Sequence, residues 1–392
     1  MRLDLIGQYT PICGTDQDSF ARFTIQQRLP LILHQIISDN TFNEGCIHSL
    51  ERLKEQITDG KISDIISNGE DATSWNIYLA PYIGKSWLEV PFYFAEAYFY
   101  RLVLDKIDFF NDGIDPFFIR KKADLINNQR QYSTIPAKFQ QFKSQHPKKF
   151  DHIKCLLFNS LWGNKADLSQ LHREIDLNDT FPEYFTLIDH SDEIVETFFD
   201  KITRVDIILD NCGLELFTDL MLVEELVSNH FVDHIVLHAK AYPMFVSDAM
   251  SVDIQYLINQ LICHEKKEVS SFAEKLDNLL TAGKIQLSDH SFWNSPLHFY
   301  EMPEDLSREL QKSDLILLKG DANYRRIFGD RKIPVDTHPQ MLANYLPAKS
   351  IAIRILKSEI LLGLDKDIAS SIMLKDKEWL INGKYGIIQK LN

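Results

Sequence analysis

Three short stretches of this chain place oxygen and nitrogen groups where an apolar run stops. Asp210 and Asn211 close the run 205–209, Asp248 closes MFVSD at 244–248, and Lys319-Gly320-Asp321-Ala322-Asn323 follows DLILL at 314–318. A carboxylate beside an amide offers two oxygen donors to a hard divalent cation. Asp210, Asn211 and Asp248 together offer three and leave room for water and a substrate oxygen. Such a shell suits Mg²⁺ or Mn²⁺ rather than a structural zinc. Lys319 brings charge for a phosphate, Gly320 lets backbone approach closely, and Asn323 has an amide to donate. Arg325, Arg326, Arg354 and Lys357 add cations, at least one of the two adjacent arginines being a packing or surface residue. A metal with several cations around acidic ligands is the electrostatic kit of phosphoryl transfer. Taken alone, Asp210-Asn211 reads equally well as a loop carboxylate capping a helix.

These groups can meet only if their strands lie side by side with carboxyl ends aligned, as in open α/β sheets. The stretch RVDIILDNCGLELFTD (204–219) reads as strand 205–209, a tight turn at Gly213 and a helix over 214–226. Further strands are expected at 231–238, 314–318 and, as the last, 350–356, with helices at 253–261 and 269–280. Strands alternating with helices across 200–360 predict an α/β fold with a largely parallel sheet covered on both faces.

Residues 1–150 read instead as a mostly helical domain, ahead of a catalytic domain at 151–392. A helix over 18–37 is bent or split at Pro30, and shorter helices are expected at 47–57 and 62–66. The aromatic segment WLEVPFYFAEAYFYRLVLDKI (87–107) is a core helix carrying Glu96 and Arg101, a pair either bonded to each other or facing a cleft. Residues 120–150 are polar and basic and read as a loop plus a surface helix. In LWGNKADLS (161–169), a turn is expected at 162–164 and a helix start at Asp167.

Composition narrows the classes of function. Fifty-six acidic against 42 basic residues give a net charge of −14, which disfavours nonspecific nucleic-acid binding. The five cysteines are scattered without a CxxC pair, so neither a disulfide framework nor a zinc ribbon is expected. No signal-like N-terminus and no long apolar run appears, so the expected location is a reducing cytoplasm with no membrane contact. GxGxxG, GxxxxGK[ST] and GxSxG are all absent. His230, His234 and His238 are spaced for one helix face, but Ile235-Val236-Leu237 reads as strand, and metal binding there is not expected.

At these same residues the chain resembles the metal-dependent damage-control phosphatases, long known only as a domain of unknown function. It is most similar to their third subfamily, which includes proteins named protein-glutamate O-methyltransferases. The matching words are Asp210-Asn211-Cys212-Gly213-Leu214-Glu215 with Asp219-Leu220, then Phe245-Val246-Ser247-Asp248 with Asp253. LWGNKADLS (161–169), LLKGDANYRRIFGD (317–330) and PFYFAEAYFYR (91–101) match as well. The resemblance implies a three-layer α/β/α Rossmann-like core with a helical N-terminal domain. It implies Mn²⁺, Co²⁺, Ni²⁺ or Mg²⁺ on Asp210, Asn211 and Asp248, and substrate contacts from Glu215, from the Gly320–Tyr324 loop and from Lys357. The implied substrates are reactive sugar phosphates such as fructose 1-phosphate. Two positions depart from the subfamily: Ile355 stands where its Arg-Thr-x-Lys signature has Thr, and Ala97 where Cys is expected.

In the expected mechanism Asp210 is either a ligand or a nucleophile. Lys319, Asn323, Arg354 and Lys357 meet phosphoryl charge, and Glu215 holds a substrate hydroxyl or carries a proton. Two other readings remain at this point: a carboxyl methyltransferase using S-adenosylmethionine, and a binding protein on an inactive phosphatase scaffold.

Overall fold

A computed structural model describes residues 3–163, 185–200 and 202–392. Seven strands form one sheet: β1 (Phe185–Asp189), β2 (Ile202–Ile208), β3 (Val232–Ala239), β4 (Ile285–Asp289), β5 (Leu315–Lys319), β6 (Ser350–Ile355) and β7 (Tyr385–Lys390). Their spatial order is β1-β7-β6-β5-β2-β3-β4. The five strands from β6 to β4 are mutually parallel, while β7 runs antiparallel to β6 and β1 runs parallel to β7. β2 to β5 and β6 are wound in the opposite direction from β2 to β3 and β4. The topological switch, where such sheets bind ligands, therefore falls between β2 and β5.

The strands form because they are short, β-branched or leucine-rich runs that can be buried on both sides. Their side chains divide between two cores. Ile208, Ile316, Leu318 and Ala352 face a core shared with the helices of residues 20–106 and with Gly320–Phe328. Val205, Ile207, Leu209, Leu317 and Ile353 face helices Gln129–Gln145, Lys149–Trp162, Leu214–Ser228, Ser251–Ile262 and Lys267–Thr281. The result is the expected three layers, with the helices of the first 106 residues in one of them.

Several local expectations change. Residues 62–66 form no helix. The polar stretch after residue 117 is two helices, Phe118–Asn127 and Gln129–Gln145, the second keeping Pro136 inside it. It is no surface helix, because Tyr132, Phe139 and Phe142 are buried. The 18–37 segment is split as expected, into Phe20–Phe23, a π-helical turn at Thr24–Arg28 and Leu29–Asp39, with Pro30 in the first turn of the last. The strand at 350–355 is followed by β7, so it is not the last. Glu96 and Arg101 do not pair with each other. Glu96 meets Arg325 at 2.5 Å, and Arg101 meets Asp71 at 2.8 Å. The histidines lie as argued from the strand pattern: His238 is on β3 and bonds Asp206. Residues 164–169 of the LWGNKADLS match lie outside the described residues.

Candidate active site at the β2–β5 switch

Three loops and one helix start build the site. β2 ends at Ile208, and Leu209 is still held by the His238 carbonyl at 3.0 Å, so Asp210 leaves the sheet on a fixed heading. Gly213 then turns the chain at φ 72°, ψ −138°, a conformation closed to residues with a Cβ. An added Cβ would also lie 1.9 Å from Asp124 Oδ2. Helix Leu214–Ser228 starts there without a side-chain cap of its own. The Asp124 carboxylate fills that role from the helical layer by accepting the Leu214 N–H.

Asp248 is not at a strand end. It lies in the loop after β3, and that loop is stitched back onto β2's exit. Cys212 N–H donates to the Ser247 carbonyl at 2.7 Å and Ala249 N–H to the Asp210 carbonyl at 2.8 Å. Asn211 and Asp248 form an antiparallel bridge. The turn that makes this possible places Phe245 at φ 47° and Val246 at φ 69°. A β-branched residue in that region is strained by about 1–3 kcal/mol, a cost typical of functional sites.

Side chains then converge. Asn211 Nδ2 donates to Asp210 Oδ2 at 2.6 Å and to Glu215 Oε2 at 2.9 Å, and Ser247 Oγ donates to Asn211 Oδ1 at 2.6 Å. Asp210 is 9% exposed and Asp248 1%. Burial, then the charges of Glu215 and Asp248, hold the Asp210 carboxyl well above the ordinary range, with Lys357 and Lys240 opposing. Burial pushes Asp248 up to about 6 against the pull of Lys240. Asp248 Oδ2 is buried without a hydrogen bond.

From β5 comes Gly320 at φ 82°, its Cα pressed against the Asp210 carboxylate. An added Cβ would sit 2.1 Å from Asp210 Cγ, so only glycine fits. The segment read as a loop is in fact the first turn of helix Gly320–Phe328, whose N-cap residue Lys319 makes no side-chain cap bond among the described residues, so its leading N–H groups can receive an anion.

Other expected site residues are engaged in holding this frame. Lys319 Nζ, 2% exposed, bonds the Ser160 carbonyl and hydroxyl and lies 3.0 Å from Asp219 Oδ1 and 3.6 Å from Glu215 Oε1. Burial opposes its charge, but Asp219 and Glu215 raise it nonetheless. Asn323 Nδ2 donates to the carbonyls of Lys319 (2.8 Å) and Leu209 (3.4 Å), tying β5 to β2 rather than facing the crevice. Tyr324 turns its hydroxyl to Gln389 and the Leu362 N–H. Arg354 is fully buried on Asp321 at 2.8 Å and on the carbonyl of Ile360. Although burial works against it, Arg354 then Arg325 keep the Asp321 carboxyl below the ordinary range. Lys357 stays exposed, its backbone N–H on Asp321 Oδ1 at 3.0 Å. Arg325 and Arg326 are both packing residues. Arg325 bridges Glu96 and Asp330, and Arg326 donates to the carbonyls of Leu297, Trp293 and Phe292.

Three residues escaped the sequence reading. Lys240 lies 3.3 Å from Asp248, Ser160 bonds Lys319 and Asp219, and Lys121 pairs with Asp115 and Asp253. Asp253 also accepts the Met250 N–H at 2.9 Å, so Lys121 steadies the Asp248 loop from the helical layer. Only Lys240 had a signal to find, a lysine straight after an apolar strand.

Among the described residues no three His, Cys, Asp or Glu side chains gather as a metal cluster. The donor set here is different: two buried carboxylates and an amide. One carboxylate oxygen lacks a hydrogen bond, and the amide oxygen keeps a second lone pair beyond Ser247. That set fits a hard divalent cation.

Fold and site thus define a doubly wound α/β enzyme with an acidic centre at the carboxyl ends of its sheet. Residues 24–372 match the family described as the damage-control phosphatase ARMT1-like domain. Damage-control phosphatase ARMT1 of Danio rerio is 31% identical over 95% of this chain and 95% of its own. That of Macaca fascicularis is 32% identical over 96% and 97%, and that of Mus musculus 31% over 96% and 97%. A solved DUF89 family structure from Pyrococcus horikoshii aligns at TM-score 0.45 with 12% identity, over 95% of this chain and 98% of its own. The chain belongs to the damage-control phosphatase ARMT1-like family and is a phosphatase acting in metabolite damage control. No helix of the described residues is long and apolar enough to cross a membrane.

Proposed function

We propose that this phosphatase hydrolyses small reactive sugar phosphates, fructose 1-phosphate among them, in the β2–β5 crevice, with a divalent metal held by Asp210, Asn211 and Asp248. The observation that carries the reading is the pair of buried carboxylates, Asp210 and Asp248, both driven toward protonation beside an uncapped helix N-terminus. Such an arrangement is costly unless a cation and an anion complete it. Bound Mn²⁺, Co²⁺, Ni²⁺ or Mg²⁺ would polarise a phosphoryl oxygen and acidify water.

The chain's own residues do the rest. Ser247 and Glu215 fix the Asn211 amide from two sides. The open N–H groups of the first turn from Gly320 receive phosphoryl oxygens, with the helix dipole favouring their charge. The turn's contribution is thus backbone, since the Asp321, Asn323 and Tyr324 side chains are bonded elsewhere. Lys357, exposed at the rim, meets the incoming dianion. Glu215, a quarter exposed, can accept a sugar hydroxyl. Arg354 and Lys319 act through Asp321 and Asp219, as braces rather than contacts. Ile355 in place of the subfamily's Thr removes one hydroxyl and none of these groups. The five unpaired cysteines suit a reducing cytoplasm.

The test is activity after chelator stripping and reloading with Mn²⁺, Co²⁺, Ni²⁺ or Mg²⁺, read as phosphate release from a sugar-phosphate panel. Asp210→Ala and Asp248→Ala are each expected to lower kcat by about 10³-fold or more. Metal-independent turnover, or full activity in Asp248→Ala, would overturn the site. Methyl transfer from labelled S-adenosylmethionine without phosphate release would overturn the reaction.

A further inference from the structure

Lys240 follows β3 directly and is 3% exposed, yet the mechanism above leaves it idle. Its Nζ lies 3.3 Å from Asp248 Oδ2, and Asp248 is its one ion-pair partner among the described residues. That contact lacks hydrogen-bond geometry, since Asp248 Oδ2 is buried with no bonded donor. An ammonium carries three N–H donors, and its one ion pair among the described residues does not use them up. Its position is fixed from the backbone. Lys240 N–H donates to the Ala249 carbonyl at 2.9 Å, and Ala249 N–H donates in turn to the Asp210 carbonyl at 2.8 Å. The ammonium is close enough for its charge to act on both Asp210 and Asp248.

The other two lysines of the crevice are placed differently. Lys319 spends its donors on Ser160 and Asp219, and Lys357 is out at the rim. A phosphate dianion entering between them would face Asp210, Asp248 and Glu215, and among the described residues Lys240 is the buried cation beside them that Ser160, Asp219, Asp115 or Asp253 does not already hold. We propose that Lys240 is a substrate-binding residue. Its charge steadies Asp248, and its N–H groups bind a non-bridging oxygen of the phosphoryl group. This rests on the crevice being the phosphate site argued above. It makes Lys240 the inner cation and Lys357 the outer one, with Lys319 reserved for the frame.

The experiment uses full-length protein loaded with Mn²⁺ and measures inorganic phosphate binding by calorimetry. Mn²⁺ binding to the metal-free protein is measured separately by the electron paramagnetic signal of free Mn²⁺. Lys240→Met keeps the chain length but removes charge and donors. Phosphate binding is expected to weaken by about tenfold or more, the usual loss for a charge-assisted hydrogen bond, with Mn²⁺ affinity held within about threefold. Lys240→Arg keeps the charge beside Asp248 while displacing the donors. It serves as the second variant should the Met form not fold, and should weaken phosphate binding while leaving Mn²⁺ binding unchanged. Unchanged phosphate affinity in both variants would overturn the proposal. So would a loss of Mn²⁺ affinity as large as the loss for phosphate, because Lys240 would then serve Asp248 alone. Failure of the phosphate-site reading itself would show differently, as wild-type protein that binds Mn²⁺ but not phosphate.

Discussion

Two aspartates four residues apart along one stretch of chain, Asp206 and Asp210, are both buried, at 0% and 9% exposure, and have opposite characters. Asp206, inside β2, takes hydrogen bonds from Arg204 at 2.6 and 2.8 Å, shares one with His238 at 2.6 Å, and accepts another from Ser313. Burial pushes its carboxyl up, but those partners bring it below the ordinary range. Asp210, past the strand end, feels the same burial with Glu215 and Asp248 added, and it ends well above that range. Burial is common to both and so discriminates nothing. Partners decide: a carboxylate fully paired by the protein is part of the frame, and one left crowded by like charge is reserved for a ligand.

The largest expected effect that tests this contrast is on stability. Asp206→Ala leaves Arg204 with Glu309 alone and His238 without its carboxylate, a loss of about 3–5 kcal/mol for breaking a buried ion pair from one side. Calorimetry should show a markedly lower unfolding midpoint, while kcat per folded molecule stays near wild type. An unshifted midpoint would erase the distinction between the two aspartates. Next comes Gly320→Ala, whose methyl would collide with the Asp210 carboxylate. It should cost about 10²-fold in kcat through displaced groups, read in steady-state kinetics with saturating metal, with a smaller loss of stability.

The smallest effect has the most telling sign. A carboxyl raised in the folded state keeps a proton that the unfolded chain gives up, so folding loses stability as pH climbs from the unfolded value of about 3.9 through the folded one. Metal-free protein should therefore weaken between pH 4 and pH 7, spanning the value of about 6 at Asp248. Asp210→Asn should flatten that decline and stabilise the metal-free protein at pH 8 by about 1–2 kcal/mol while abolishing turnover. Thermal melts at pH 4 and pH 8 check both the size and the sign. A variant less stable than wild type at pH 8 would show that Asp210 is compensated after all.

Much of this was readable in the sequence. β2, β3, β5 and β6 are apolar runs buried on both faces, and such runs announce themselves. β1 (FTLID) and β4 (IQLSD) are edge strands with partly exposed, mixed residues, and β7 (YGIIQK) opens on Tyr-Gly and runs antiparallel beyond the βα alternation. Their pattern is weak because only neighbouring strands give it meaning. Asp210, Asn211 and the Gly320 turn were visible as strand-end chemistry. Asp248 was found by its residue type but assigned the wrong local structure, since two positive-φ residues in FVSD cannot be inferred from an apolar run. Which cations face the crevice was hidden too. Arg354, Lys319 and Asn323 look free in a string of letters, and only packing shows that Asp321, Ser160 and the strand-end carbonyls already claim them.

The bend at Phe245 and Val246 carries a consequence for how this molecule can change. Phe245 has its ring 5.0 Å from Tyr100 and 5.9 Å from Tyr93, both on helix Phe92–Lys106. Torsional strain in the Asp248 loop is thus underwritten by aromatic packing from a segment about 150 residues earlier in the chain. Neither part can be swapped alone between relatives. A chimaera joining a foreign helical layer to this sheet would keep every ligand residue yet lose the surface against which Asp248 is held in place.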